Sequence, residues 1–389
     1  MGREKLLSIF KNLNNELIKV YRKLHQSPEL PNQEFETTNS LIRLLEDVDI
    51  DIIDLNLKTG LVAEINGGAK GPVIAIRCDI DALPIEEETD LPYKSLIKGK
   101  MHACGHDFHM AVILGAVYLL KKNEQNLKGK IKVIFQPAEE SADGAKKILQ
   151  TGVLDDVDVI FGIHNTPDLD SGVIGIKTGA MTAAVDRFEI EILGVGSHAA
   201  KPEKSIDPII IASNIVMSLQ TIVSRNISPT SNALLSVTHI ESGNTWNVIP
   251  ESAYIEGTVR TLDESDRNLI FKRMNEIING TAQLFGGSAK LIWHSSSPAT
   301  NNTENWVKVS SEIAKNLNLD VKEVSMGLEG EDFAYYQQKI PGAFIIAGIG
   351  KSYAHHHPKF QIDENVILDY AKYFASLAEK SLIEISSKC

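Results

Sequence analysis

Two secondary-structure rhythms succeed one another along this chain, and their order is the strongest constraint on what it can fold into. Through most of the first half, strand-like runs alternate with helical ones. Residues 4–24 and 34–47 suit amphipathic helices, "GLVAEING" and "PVIAIRCDID" suit strands, and "MAVILGAVYLLKK" suits a helix buried on more than one face. "GKIKVIFQPAEE" reads as a strand that stops at Pro137, and "VDVIFGIHNTPD" as one that stops at His164. This βαβ rhythm predicts an α/β fold with a mostly parallel sheet covered by helices on both faces.

From about residue 183 the order changes. "FEIEILG" suits a strand, 207–223 an apolar helix, "ALLSVTHIES" and "SAYIEGTVRTL" two strands, 263–285 a helix and "SAKLIWHS" a last strand. That order, β-α-β-β-α-β, is the split ferredoxin-like α+β plan, a unit able to bury its own core. Helix and strand patterns then resume, with strand "GAFIIAGIG" and a helix from about residue 364. The expected organisation is a discontinuous first domain, 1–182 and 295–389, with a second domain, 183–294, inserted into it. At 389 residues the chain can supply two cores.

Charge and cysteine content narrow the function classes. With 51 acidic against 39 basic residues, the net charge of −12 gives no electrostatic reason to seek nucleic acid or an anionic membrane. The first thirty residues open with charges and lack the apolar core of a signal peptide, and no apolar run is read as approaching a membrane span. Leu6 stands where a myristoylation signal needs Ser or Thr. Cys78, Cys104 and Cys389 are too few for a disulfide framework, so a reducing, cytoplasmic setting is expected.

The polar residues are placed unevenly. In open α/β sheets, ligands bind beyond the carboxyl ends of the strands. Here one strand leads to Asp79 and Asp81, a second to Glu139 and Glu140, a third to His164, and a fourth to His355, His356 and His357. "MHACGHDFHM", Met101 to Met110, sits just before a long helix. Gly105 lets the backbone turn tightly between Cys104 and His106, so both side chains can reach one ion. His102 and His109, on either side, suit supporting or substrate-binding positions. A single His, Cys or Glu pair in such places is more often structural than catalytic; convergence from four strand ends outweighs that prior. Thiolate, imidazole and carboxylate together suit Zn2+, Co2+ or Mn2+, not Mg2+ or Ca2+. Of two adjacent acids, one can bind metal while the other acts as a base.

Other motifs fall away. His239 and His294 lie inside strand patterns of the second domain and read as ordinary. "GVGSHA", Gly194 to Ala199, lacks the third glycine and the βαβ setting of a dinucleotide loop. No nucleophile elbow and no phosphate-binding loop motif occurs, which removes serine-hydrolase and P-loop readings.

The segments "RCDIDALP", "MHACGHDFH", "FQPAEE", "GIHNTP", "GVGSHAAKPEKSID", "NVIPESAYIEGTVRT", "GEDFAYY" and "HHHPKFQIDE" resemble the M20 metallopeptidase family. The nearer match is its amidohydrolase branch of hippurate hydrolases, N-acetyl-diaminopimelate deacetylases and auxin–amino-acid conjugate hydrolases. The motifs run in family order over nearly the whole chain. The resemblance implies two divalent ions held by Cys104, His106, Glu140, His164 and His356, with Cys104 bridging. His356 is chosen because the family ligand stands two residues before the proline, here Pro358. Glu139 is implied as the general base and Asp81 as a clamp that orients the ligands. The inserted domain matches a lid and dimerisation domain, so a homodimer is implied. There His198 would stabilise the oxyanion in the partner subunit's site, and Arg260 with Asn247 would hold the substrate carboxylate. Gly330 replaces a serine frequent in relatives. The implied reaction is hydrolysis of a small N-acyl amino acid, N-acetyl or N-aroyl, to a carboxylate and a free amino acid. Two alternatives stay open: a dipeptidase or carboxypeptidase with the same site, and a non-catalytic metal-binding protein.

Overall fold

The structure is a computed structural model describing residues 2–325, 327 and 329–387. Cys389 lies outside the described residues. The chain divides into two compact units, Met1–Met181 with Asn301–Ser325 and Asp332–Cys389, and Thr182–Thr300 with Met326–Glu331.

Helices α1 (Gly2–Phe10) and α2 (Leu13–His25) replace the single helix expected over 4–24. The break falls at Lys11 and Asn12, whose N–H groups bond three residues back, to Ser8 and Ile9, in a tightened turn. Leu13, Leu17, Tyr21 and Leu24 give α2 one buried stripe. There follow α3 (Phe35–Glu46), β1 (Asp51–Ile53), β2 (Leu61–Asn66), β3 (Ala69–Asp79), α4 (His106–Lys122), β4 (Lys128–Gln136), α5 (Gly144–Gln150), β5 (Val159–Thr166), β6 (Val173–Gly175) and β7 (Gly179–Ala180). The second unit then supplies β8 (Ala184–Leu193), β9 (Ser197–His198), α6 (Pro208–Asn226), β10 (Ala233–Ser242), β11 (Val248–Ile249), β12 (Ser252–Thr261), α7 (Glu264–Leu284) and β13 (Ser288–Ser295). The chain returns to the first unit with β14 (Asn301–Asn302), α8 (Glu304–Asn316), β15 (Asp320–Lys322), α9 (Ala334–Gln337), β16 (Gly342–Gly348) and α10 (Ile367–Ser386). A short 3-10 turn, Glu364–Val366, precedes α10, which therefore starts slightly later than expected.

Among the described residues the first unit holds an eight-stranded sheet, β1-β2-β4-β3-β5-β16-β6-β15. Its middle strands β4, β3, β5 and β16 run parallel, while β2 pairs β4 and β6 pairs β16 in the opposite sense. Successive residues of a strand face opposite sides. Ile74, Ile76, Ile131 and Val133 therefore enter the core that contains Leu17, Val112 and Phe374 of α2, α4 and α10. Ala75, Ile134 and Ile160 enter the core on the other side, with Ala145, Ile148 and Tyr336 of α5 and α9. Strand β5 does not stop at His164: β16 runs beside it and pairs through Thr166 with Gly348.

The second unit is an antiparallel sheet, β10-β12-β8-β13, in the chain order β-α-β-β-α-β. Ile211, Ile215 and Leu219 of α6 and Ile270, Met274 and Ile278 of α7 pack with Phe188, Ile190 and Ile255 of the sheet. Asp207 caps α6 by accepting the Ile209 N–H, and Asp263 caps α7 by accepting those of Ser265 and Asp266. Strands β9 and β11 form a small separate ribbon. The expectation that no apolar run approaches a membrane span fails for one helix. Helix α6 is, by length and composition, apolar enough to cross a membrane, because three isoleucines follow Pro208 and only Arg225 is charged. Its inner stripe belongs to the unit's own core.

Candidate metal centre

Four neighbouring parallel strands end at one rim of the sheet and carry the ligand-type residues there. Asp79 closes β3 and Asp81 lies two residues on. Glu139 and Glu140 follow β4 after Pro137, His164 lies within β5, and the loop after β16 holds His355, His356 and His357. Cys104 precedes α4, which begins at His106. Gly105, between them, has φ +80°, the left-handed region where glycine alone is unstrained. Ala138 (φ +56°) and His356 (φ +64°) adopt left-handed backbone without being glycine, at a cost of about 1–2 kcal/mol each. Both adjoin or belong to the groups that could hold a metal ion.

Cys104 lies in two ligand constellations at once: with His106 and His164, and with Glu140 and His356, all ligand atoms in each within 4.8 Å of one another. Its Sγ is 3.4 Å from His164 Nε2. Glu140 Oε1 is 3.5 Å from His356 Nε2 and 4.0 Å from His106 Nε2. Glu139 groups with His106 and Glu140. Of the three successive histidines only His356 joins this set: His355 Nε2 bonds Asn165 Oδ1 at 3.0 Å, and His357 stacks on Tyr353.

The supporting acids divide the work. Asp81 accepts the main-chain N–H of Glu139 at 3.1 Å and of Glu140 at 3.0 Å, and lies 3.3 Å from His106 Nδ1 without hydrogen-bond alignment. Asp79 accepts from Arg77 at 2.8 Å and from His109 Nδ1 at 2.6 Å. His102 is buried with no hydrogen-bond partner at either nitrogen, and that burial lowers its pKa to about 4.

The site has the electrostatics of a place for cations. Burial alone would push the Cys104 thiol up, but His164 above all, with His106 and His356 close by, brings it down to about 6. Burial opposes charge on His106, yet Asp79 and Asp81 raise its pKa well above the usual value. Both ring nitrogens of His106 and Oε1 of Glu140 are buried and lack hydrogen-bond partners. Leaving such groups unsatisfied costs about 1–3 kcal/mol each, more for charged ones. A divalent cation removes that cost, and a thiolate, three imidazoles and a carboxylate match borderline-soft metals.

His198, Asn247 and Arg260 belong to the second unit. His198 faces Val248 across the β9–β11 ribbon, is exposed, and accepts the Ala200 N–H at Nδ1 (3.0 Å). The Asn247 carbonyl accepts the Ala199 N–H at 3.1 Å. Arg260 lies on β12 between Leu234 and Val185, and burial lowers its pKa against the pull of Asp186 and Glu329. His294 bonds Glu189 at 2.8 Å, and exposed His239 lies 3.7 Å from Glu241. A Cβ at Gly330 would stand 2.7 Å from Ser297 Oγ and 2.8 Å from Val185, so a side chain there needs the neighbours to move.

Several contributors, most of them inside the quoted motifs, were given no role by the sequence. Fully buried Arg77 joins Asp79 to Asp332, which also accepts from Gln136 and the Ala145 N–H. His25 bonds Asp107 at 2.6 Å and Glu87 at 3.2 Å. Asn165 bonds Cys104, His109 and His355. Its sequence signal is its place directly after His164 in "GIHNTP".

The sequence model described as Peptidase family M20/M25/M40 matches residues 75–380. The chain is 48% identical over 372 residues to the N-acetyl-L-cysteine deacetylase of Bacillus subtilis, covering 96% of this chain and 89% of that one. It is 37% identical over 387 residues to thermostable carboxypeptidase 1 of Saccharolobus solfataricus, covering 97% and 98%. Among solved structures it is similar to the Bacillus subtilis YXEP protein, titled a dinuclear metal binding peptidase from the M20 family. That likeness has a TM-score of 0.87 and 44% identity, with 96% and 99% of the two chains covered.

Proposed function

The chain belongs to peptidase family M20/M25/M40, and on that premise we propose that it is a metal-dependent amidohydrolase of N-acyl amino acids, holding two divalent ions. The observation that carries this is Cys104, one thiolate shared between two constellations, with Glu139 beside them. Cys104, His106, Glu140, His164 and His356 are the residues we assign to hold the ions, with zinc, manganese or cobalt as the candidates. When bound, such ions polarise the scissile carbonyl and acidify water.

The chain's own groups do the rest. Glu139 takes the proton from the attacking water and returns it to the leaving nitrogen, work worth about 10²–10⁴-fold. Asp81 supports this by holding the main chain of Glu139 and Glu140. We assign His198 to donate to the oxyanion, and Arg260 with Asn247 to hold the substrate's free carboxylate. In this reading residues 1–182 and 295–389 are the catalytic domain. Residues 183–294 form a lid through which two copies pair, each His198 serving the other subunit. The free thiols of Cys78 and Cys104 fit a cytoplasmic setting.

The relative named N-acetyl-L-cysteine deacetylase makes N-acetylated amino acids, N-acetylcysteine first, the substrates to try. The relative named a carboxypeptidase supports a second reading in which a peptide's last residue is released. Hydrolysis of N-acetyl and N-benzoyl amino acids and unblocked dipeptides by metal-reconstituted protein tests both. Turnover of the acyl amino acids supports the first reading and turnover of dipeptides alone supports the second. Tight metal binding without turnover of either would leave a binding protein.

A further inference from the structure

We infer that Asn165 is the positioning residue of the metal centre: through its side chain and its peptide group it sets the Cys104 loop, the tautomer of His164 and the segment that leads into His356. The inference rests on the metal-centre reading above and adds to it a residue outside the ligand set.

Asn165 is 1% exposed and follows His164 in β5. Its Nδ2 donates to the Cys104 carbonyl at 2.6 Å and lies 2.9 Å from His109 Nε2. Its own N–H donates to that same nitrogen at 3.0 Å. Its Oδ1 lies 3.0 Å from His355 Nε2, and its carbonyl 2.8 Å from His164 Nδ1.

For neutral imidazoles, donor and acceptor chemistry then leaves one consistent tautomer assignment. A carbonyl accepts only, so the amide edge of Asn165 must face Cys104 and its oxygen must face His355. His109 Nε2 receives two N–H groups and is unprotonated; its proton sits on Nδ1 and goes to Asp79. His355 carries its proton on Nε2. Neutral His164, facing a carbonyl, carries its proton on Nδ1, so its Nε2, 3.4 Å from the Cys104 sulfur, is the nitrogen that can accept or bind metal. A metal-binding imidazole needs that state, and its second nitrogen's partner normally enforces it.

The carboxamide also explains the glycine. A Cβ on Gly105 would come within 2.5 Å of Asn165 Nδ2, so the turn between Cys104 and His106 is shaped around this side chain. One residue therefore touches the segments that carry Cys104, His164 and His356, and reaches Asp79 through His109. A residue serving only fold stability needs hydrogen bonds, but not a set that holds the Cys104 loop and turns His164 Nε2 toward the Cys104 sulfur.

The test uses full-length wild type, Asn165→Ala and Asn165→Asp. The Asp variant keeps shape and Oδ1 but replaces the amide donors with an acceptor. Affinity is read by chelator competition with Zn2+, and coordination by the absorption spectrum of the Co2+-loaded protein. Both variants are expected to bind at least one ion about 10–100-fold more weakly and to show an altered thiolate–cobalt band. Unchanged affinity and spectrum in Asn165→Ala, or full rescue by Asn165→Asp, overturns the positioning role alone. Wild type that binds no ion overturns the metal-centre reading and this inference with it. Because the variants can misfold, histidine 15N spectra of metal-free wild type supply a second measure. His164 and His109 are expected as Nδ1–H and His355 as Nε2–H; an Nε2–H His164 overturns the proposal.

Discussion

Asp81 receives the main-chain N–H of Glu139 at 3.1 Å while its other oxygen receives that of Glu140 at 3.0 Å. A single buried carboxylate thus sets the spacing between the proposed base and the proposed ligand. Replacing it with alanine removes the acceptor from both N–H groups, at about 1–3 kcal/mol for each left unsatisfied. Asp81→Ala is expected to melt lower as metal-free protein and to bind Zn2+ about 10–100-fold more weakly. Asp81→Asn, which keeps one acceptor oxygen, should fall between. Thermal unfolding and chelator competition read the two effects separately, and equal behaviour of Asp81→Ala and wild type would remove Asp81 from the account.

His25 makes stability depend on pH. Burial opposes charge on His25, but Asp107 and Glu87 outweigh it and raise its pKa to about 10. Asp107 is lowered: burial opposes ionisation there too, and His102 and His25 outweigh it. For His25 the folded value lies above the ordinary 6.5, so its contribution is full below about pH 6.5 and is lost as pH rises through about 10. Removing one partner of a buried ion pair costs roughly 3–5 kcal/mol. His25→Gln should therefore lose about that much near pH 6, and the gap from wild type should narrow steadily toward pH 10. Denaturant unfolding of the metal-free proteins across that range measures it; a gap independent of pH would mean that the pair is not charged.

Gly105→Ala strains the turn between Cys104 and His106. The substitution places a side chain at φ +80° and a Cβ 2.5 Å from Asn165 Nδ2 and 2.7 Å from Ile362 Cδ1. The left-handed conformation alone costs about 1–2 kcal/mol, and relieving the contact displaces the Cys104 turn. The expected result is weaker metal binding beyond any loss of stability. Wild-type affinity in a folded Gly105→Ala protein would show that the turn has slack.

The strand ends were legible because they are local: an apolar run that stops at Asp79 or at Pro137 carries its signal within ten residues. The adjacency of β4, β3, β5 and β16, which makes those ends converge, needed the sheet itself. The end of β5 was misplaced because strand length there is set by pairing with β16, some 180 residues away in the chain. The break between α1 and α2 was missed because Lys11 and Asn12 interrupt helical hydrogen bonding without interrupting the apolar periodicity. The buried networks were illegible for the same reason as the β5 boundary. Arg77 meets Asp332 across 255 positions and His25 meets Asp107 across 82, and no local pattern marks either pair. Asn165 looks like any polar residue after a histidine until its neighbours in space are known.

The most direct test of the central claim is turnover of N-acetyl amino acids by metal-loaded Glu139→Gln, with metal content measured on the same sample. Glutamine keeps the size and the main-chain bond to Asp81 but cannot take a proton from water. The account predicts two ions per chain, as in wild type, and a rate lowered by about 10²–10⁴-fold. Near-normal turnover with both ions bound would contradict it and move the base elsewhere in the site.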